Sequence, residues 1–313
     1  MPKLSIIIAA YNHEKFVREL LESLLAQTFQ DFELIAIDDG SSDKTPDILA
    51  EYEPRIRLIR QKNQGVVAAR MRGIKESSGE YACFVDSDDK ICPDRFERQI
   101  KILDDHPDVG LVYGDAIIID EEGRERGRFS ELYPPFLENV ARNLFCKYCF
   151  IPAITATFRR SVFDQTNGLW GPGPICDYLK WIEIALLSEV RLIDAPLGYW
   201  RRHVASVSFK ADMEKSYLET LEALKQLYSR NEKLREITKS YARRRYARCY
   251  FMIGFFSVLE KDFKKARQYF HRAVDEYPVA LENLAAFFLA LYPIHLASRH
   301  LFNYIYRKFY KWR

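Results

Sequence analysis

Neither of the usual phosphate cradles is present: no GxxxxGK(S/T) loop and no GxGxxG turn occurs in the 313 residues. A chain that handles phosphates without them must use another device, such as a bound cation. Long apolar runs are missing too. The longest uncharged stretch near the C-terminus, residues 283 to 298, is interrupted by Pro293 and His295 and falls short of the ~20 residues that cross a bilayer. The opening MPKLSIIIAAYNHEKF has too short an apolar segment and no small-residue cleavage site for a signal peptide, so it is read as a first strand. Cysteine is sparse, with six residues against the density of a disulfide scaffold, and a reducing cytoplasm is the expected setting. Cys146 and Cys149 have CxxC spacing, but without a second pair a zinc site is incomplete, and two buried thiols are expected there.

Charge is balanced as well. The net +3 gives no reason to expect a nucleic-acid partner. Its distribution is uneven, because the last acid is Glu282 and Arg299, Arg307, Lys308, Lys311 and Arg313 follow it. That tail, residues 299 to 313, alternates aromatic rings with basic groups, a composition suited to peripheral contact with an anionic membrane surface or to a terminal helix packed on its own domain.

What is abundant is apolar residues, 48% of the chain, in two periodicities. LSIIIAAY (4 to 11) is a β-branched run, and Phe16, Val17, Leu20, Leu21, Leu24 and Leu25 then follow at helical spacing. The strand-then-helix unit recurs from FELIAI (32 to 37), IRLIR (56 to 60) and EYACFV (80 to 85). Four such units predict a mainly parallel α/β sheet with helices on both faces, and VGLVYGDAIIID (109 to 120) adds one or two strands. From 121 to 210 the pattern is less regular, with Gly, Pro and aromatic residues clustered before the helix LKWIEIALLSE. Beyond 211 it is helical throughout. Two domains are expected, 1–210 and 211–313, the second holding a tetratricopeptide-like helix pair near 250–278 on the spacing of Gly254, Phe263, Ala266, Phe270, Ala273 and Pro278.

In an open parallel sheet, ligands sit beyond the carboxyl ends of the strands. Those ends carry Tyr11 and Asn12, then Asp38 and Asp39, then Asp86, Asp88 and Asp89. Asp, Gly and Ser are also ordinary turn formers, which accounts for DDGSSD but poorly for DSDD. Neighbouring carboxylates repel by about 4 kcal/mol at 4 Å and an effective dielectric of 20. A divalent cation reverses that sign, and oxygen ligands on a short loop suit Mg²⁺ or Mn²⁺. An EF-hand counted from Asp86 fails, because Lys90 takes its fifth position and Ile91 its glycine position.

SIIIAAYN, IDDGSSDKT, NQGVVAARMRGI and GEYACFVDSDD, in this order and spacing, resemble glycosyltransferase family 2, enzymes of the GT-A fold that use nucleotide sugars; the resemblance spans roughly residues 3 to 208. It implies that Ala9, Tyr11, Asn12, Asp38 and Asp39 hold the base and ribose of a UDP-sugar and that Arg70 contacts the nucleotide or its phosphates. Asp86 and Asp88 would form the DxD element, with Asp88 the direct ligand of Mn²⁺ or Mg²⁺, Asp86 nearer the ribose, and Asp89 close to donor or acceptor sugar. His203, in a matching segment with Arg201, Ser206 and Ser208, would complete the metal shell or bind diphosphate. The family's acidic pair before a Trp-containing helix aligns with Cys176 and Asp177, which makes Asp177 the general base of an inverting transfer and leaves Cys176 in place of an acid. Met71 departs from the Asn often found after the arginine. The Q-x-x-R-W element of processive synthases is missing, which favours transfer of one sugar, to a glycan or lipid-linked acceptor of the kind used for envelope or exported polysaccharide. A nucleotidyltransferase and a non-catalytic nucleotide-sugar-binding scaffold are the rival readings.

Overall fold

A computed structural model describes residues 1–166, 176–204, 206, 212–239 and 241–278. The chain divides into two compact units, Met1–Lys210 and Ala211–Arg313. The expectations for Ser208, for the Gly- and Pro-rich stretch at 167–175 and for the tail lie outside the described residues.

In the first unit nine strands, counted among the described residues, form one sheet: β1 (Leu4–Ala10), β2 (Phe32–Asp38), β3 (Arg57–Arg60), β4 (Tyr81–Asp86), β5 (Lys90–Ile91), β6 (Val109–Ile119), β7 (Glu125–Arg128), β8 (Thr157–Arg159) and β9 (Glu189–Arg201). The order is β3-β2-β1-β4-β8-β6-β9-β5, with β7 on β6. The first four strands pair in parallel. β8 inserts antiparallel between β4 and β6, and β6 runs parallel to β9. This is the GT-A arrangement of a Rossmann-like half continued by a mixed half. The sequence pattern points to the parallel half. Strand β9 lies where irregular chain was expected, because Asp194, Pro196 and Gly198 break its apolar pattern.

Helices α1 (Val17–Leu25), α2 (Thr45–Ala50), α3 (Val66–Glu76), α4 (Arg95–Asp105), α5 (Phe129–Leu132), α6 (Val140–Cys146), α7 (Arg160–Phe163) and α8 (Tyr178–Leu187) surround the sheet. Alternation along β1 sorts its side chains to both faces. Leu4, Ile6 and Ile8 join the cluster holding Val17, Leu20, Leu21 and Leu24 of α1 with Phe96, Ile100 and Leu103 of α4. Ile7 points to the other face, where it meets Gly73 of α3 so closely that a Cβ there would lie 2.2 Å from Ile7 Cγ2. The β6–β9 pairing shifts register on both sides of Asp115. There Asp115 Oδ1 accepts from the Ala116 N–H at 2.8 Å and the Ser130 N–H at 2.9 Å, bonds that take the place of ladder pairing.

The second unit is helical: α9 (Met213–Arg230), α10 (Glu232–Thr238), α11 (Ala242–Leu259) and α12 (Phe263–Glu276). Asp212, Asn231 and Asp262 each cap a helix by accepting from the N–H three residues on. Most of α11 is buried, and α12 packs Phe270 against its Gly254. All six cysteines are free thiols, and Cys146 and Cys149 are half-buried rather than buried. No helix among the described residues is long and apolar enough to cross a membrane.

Candidate active site

The register β1↔β2 and β1↔β4 sets Ala10 beside Asp38 and Ala9 beside Asp86, so the Tyr11–Asn12 end of β1 and the acid-bearing ends of β2 and β4 open on one edge. Past β1 the chain turns at Asn12, whose φ of 55° is left-handed, a region that Asn tolerates better than most residues. The Asn12 Oδ1 accepts from the Ser42 N–H at 2.8 Å. Asp38 Oδ1 accepts from the Ser41 N–H at 3.2 Å. Asp39 is more fully engaged: its carboxylate accepts from Gln61 Nε2 at 2.8 Å, the Gln64 N–H at 2.9 Å and the Gly65 N–H at 2.8 Å. Gly65 supplies that last donor with a φ of 88°, which a side chain would strain. Asn12, Asp38 and Asp39 thus tie loop to loop around the strand ends, whereas the Tyr11 ring is 46% exposed.

At the end of β4 the three acids diverge. Asp86 Oδ1 accepts from Arg70 at 2.8 Å, and its side chain remains 42% exposed. Asp89 is buried and faces β9 rather than the open edge, accepting from the Arg201 N–H at 2.9 Å. Burial, then the charges of Asp88 and Asp86, push the Asp89 carboxyl well above the usual range. Arg201 clamps the same loop, donating to the Asp88 carbonyl at 2.9 Å and to the Asp120 and Glu121 carbonyls. Asp89, expected close to donor or acceptor sugar, fastens the acidic loop by satisfying a buried strand N–H.

Asp88 has its own environment. His203 Nε2 lies 3.0 Å from Asp88 Oδ2, and His13 Nε2 lies 3.8 Å from the same oxygen. Burial works against the charged form, but the hydrogen bond from His203 and the nearby His13 outweigh it and hold Asp88 below the ordinary value. His13, Asp88 and His203 form a group whose ligand atoms all lie within 4.8 Å of one another, the one such group among the described residues. Asp86, expected as a second ligand, is not part of it; one oxygen of its carboxylate is held by Arg70. His13 was not expected; a single His in a loop carries no spacing signal, and only the fold brings it to Asp88.

The expected base, Asp177, is buried at the start of α8. It makes no side-chain cap bond to its helix, so it is not an ordinary cap. Its Oδ2 accepts from the Trp181 indole N–H at 2.7 Å, one turn on, and its Oδ1 lies 3.8 Å from Arg70. Burial raises its pKa above the ordinary carboxyl value, and Arg70 only partly offsets this. Arg70 is also buried, donates to Cys176 Sγ at 3.0 Å, and lies over the Phe84 ring. The Cys176 thiol is pushed up to about 12, chiefly by burial, so it stays protonated. Arg70 links Asp86 on one strand end to Asp177 at the start of α8.

The sequence matches the family described as Glycosyl transferase family 2 over residues 5–166, just over half of the chain. The chain belongs to glycosyl transferase family 2. The family match covers the strand ends and the DSDD loop; Asp177, Arg201 and His203 lie beyond it and are brought to them by α8 and β9. EpsH of Bacillus subtilis (strain 168), which carries a glycosyltransferase name, is 28% identical over 256 residues, covering 76% of this chain and 72% of its own. A glycosyltransferase of Rickettsia conorii is 40% identical over 213 residues, 63% of this chain, but this chain spans only 32% of its length. Among solved structures, TarS 1-349 of S. aureus superposes with a TM-score of 0.64 at 21% identity, covering 88% of this chain and 81% of that one. The mannosyltransferase PcManGT of Pyrobaculum calidifontis, solved with GDP-Man and Mn²⁺, gives 0.55 at 19% identity over 96% and 83% of the two chains. These structural likenesses establish the fold.

Proposed function

We propose that this family 2 chain transfers one sugar, with inversion, from a nucleotide-diphosphate sugar, a UDP-sugar in the first instance, to a hydroxyl of a glycan or lipid-linked acceptor. The observation that carries the proposal is the Asp86–Arg70–Asp177 bridge, with 2.8 Å and 3.8 Å separations, in which buried Arg70 joins half-exposed Asp86 to a buried acid of raised pKa. Two structural neighbours support the donor class: TarS was solved with UDP-GlcNAc and PcManGT with GDP-Man.

In this mechanism Asp177 takes the proton of the acceptor hydroxyl while that oxygen attacks the anomeric carbon. The bond from that carbon to the diphosphate oxygen breaks on the opposite face, so configuration inverts. The Trp181 indole N–H holds one oxygen of Asp177 and leaves the other to the acceptor. Asp86 offers the ribose the oxygen that Arg70 does not hold, and Tyr11 presents its exposed ring to the base. Asn12, Asp38 and Asp39 build the wall behind it, and Ala9 keeps the floor low enough for the nucleotide. A divalent ion on Asp88 and His203 would neutralise charge on the leaving diphosphate. The donor set fits such an ion, since buried nitrogen and carboxylate ligands converge there.

The test is release of UDP from a panel of UDP-sugars with added Mn²⁺, in wild type and Asp88→Ala. Release by wild type alone is expected. Tight nucleotide-sugar binding without turnover by any pairing of donor and acceptor would instead make the chain a non-catalytic binding protein.

A further inference from the structure

We infer that His13 is a third protein ligand at the Asp88 centre, which makes this a two-imidazole, one-carboxylate site that selects a first-row transition ion such as Mn²⁺ over Mg²⁺. The inference rests on the glycosyl-transfer reading for its setting and on geometry for its content.

Three separate elements deliver the donors: His13 from the turn after β1, Asp88 from the turn after β4, and His203 from the segment after β9. The His13 ring is oriented by a contact that serves ligation. Its Nδ1 lies 2.7 Å from Ser87 Oγ, which leaves Nε2 to face Asp88. Fixing one ring nitrogen by hydrogen bonding while the other ligates is the usual support of a metal-bound imidazole. The His13 backbone is held as well, its N–H donating to Thr45 Oγ1 at 2.8 Å. Phe16 packs on both imidazoles, with ring centroids 6.3 Å from His13 and 4.7 Å from His203.

The spacing fits an ion. At 3.8 Å, His13 Nε2 and Asp88 Oδ2 are too far apart for a hydrogen bond, yet no other residue lies between them in the ligand group. Ligand atoms placed about 2.1 Å from an octahedral centre stand about 3 Å apart when adjacent and about 4 Å when opposite. The 3.0 Å and 3.8 Å separations from Asp88 Oδ2 lie in that interval.

The donor type decides the metal. Mg²⁺ favours oxygen ligands and keeps much of its water, whereas imidazole nitrogen suits transition ions. An all-carboxylate DxD clip would not discriminate in this way. Here Asp86 is held by Arg70 and only one carboxylate joins two imidazoles.

The measurement is Mn²⁺ binding to the full chain by calorimetry, with and without UDP, for wild type, His13→Gln and Asp88→Asn, each checked for an unchanged melting temperature. His13→Gln is expected to weaken Mn²⁺ by at least about tenfold, and Mg²⁺ in tenfold excess should leave Mn²⁺ in place on wild type. Pulsed electron paramagnetic resonance of bound Mn²⁺ should detect two imidazole nitrogens in wild type and one in His13→Gln, a readout that loss of stability cannot mimic. One nitrogen in both proteins, equal Mn²⁺ affinity in both, or ready displacement by Mg²⁺ would overturn the inference. In those cases UDP release by wild type, lost in Asp88→Asn, would leave the glycosyl-transfer reading standing. No Mn²⁺ binding to wild type, with or without UDP, also overturns it, and UDP release in excess chelator then shows whether transfer proceeds without metal.

Discussion

Arg70 carries a charge buried among Asp86, Cys176 and Asp177, and its Nε has no hydrogen-bond partner among the described residues. Removing one member of a buried charged network leaves the rest uncompensated. In Arg70→Met, Asp177 should therefore bind its proton more tightly, and kcat/KM at neutral pH should fall by about 10², the scale of a base misplaced or protonated. The sign of the wild-type pH profile follows from Asp177. Its folded-state pKa is raised above the ordinary 3.8 by burial, so the base is lost on acidification at a higher pH than for a free carboxyl. The acid limb of kcat/KM should lie above 3.8 and move up in Arg70→Met. The same shift costs stability as pH rises from the unfolded value through the folded one. Asp177→Asn should accordingly abolish transfer, keep UDP affinity, and melt at an equal or higher temperature at pH 7. Transfer at the wild-type rate would assign the base elsewhere.

Elements β1, β2 and β4 were legible because each is an apolar run buried on both faces, and the common edge of their ends, acidic in β2 and β4, followed from parallel topology alone. Strand β9 was not legible. Its residues alternate poorly, and what makes it a strand is the long partner β6, a tertiary effect that outweighs propensity. With β9 came the roles of Arg201 and His203 in fastening and completing the DSDD loop, the former unsuspected. His13 was hidden for another reason, since its meaning depends on a residue 75 positions away in sequence. The β6–β9 fit has little slack: a Cβ on Gly114 would lie 2.5 Å from Leu197 Cγ and 2.8 Å from the Ala195 carbonyl. Gly114→Ala should cost about 1–3 kcal/mol, read as a lowered denaturation midpoint, with a proportionate loss of Mn²⁺ binding as His203 is displaced. An unchanged midpoint would mean that this pairing yields easily.

At the scale of the whole molecule, charge is segregated. Residues before the final fifteen carry slightly more acid than base, and the basic excess lies in 299–313. Contact of that segment with an anionic bilayer would place the chain near a lipid-linked acceptor. Deleting 299–313 should weaken binding to phosphatidylserine-containing liposomes and remove its salt dependence, while UDP release from donor alone is retained. Equal liposome binding by both forms would dismiss the idea. Trp181 gives the molecule a property of a different kind. Because its indole N–H is bonded to the Asp177 carboxylate at 2.7 Å, its ultraviolet emission, isolated as the difference from Trp181→Phe, should follow the ionisation of that acid in the resting enzyme without donor, acceptor or turnover.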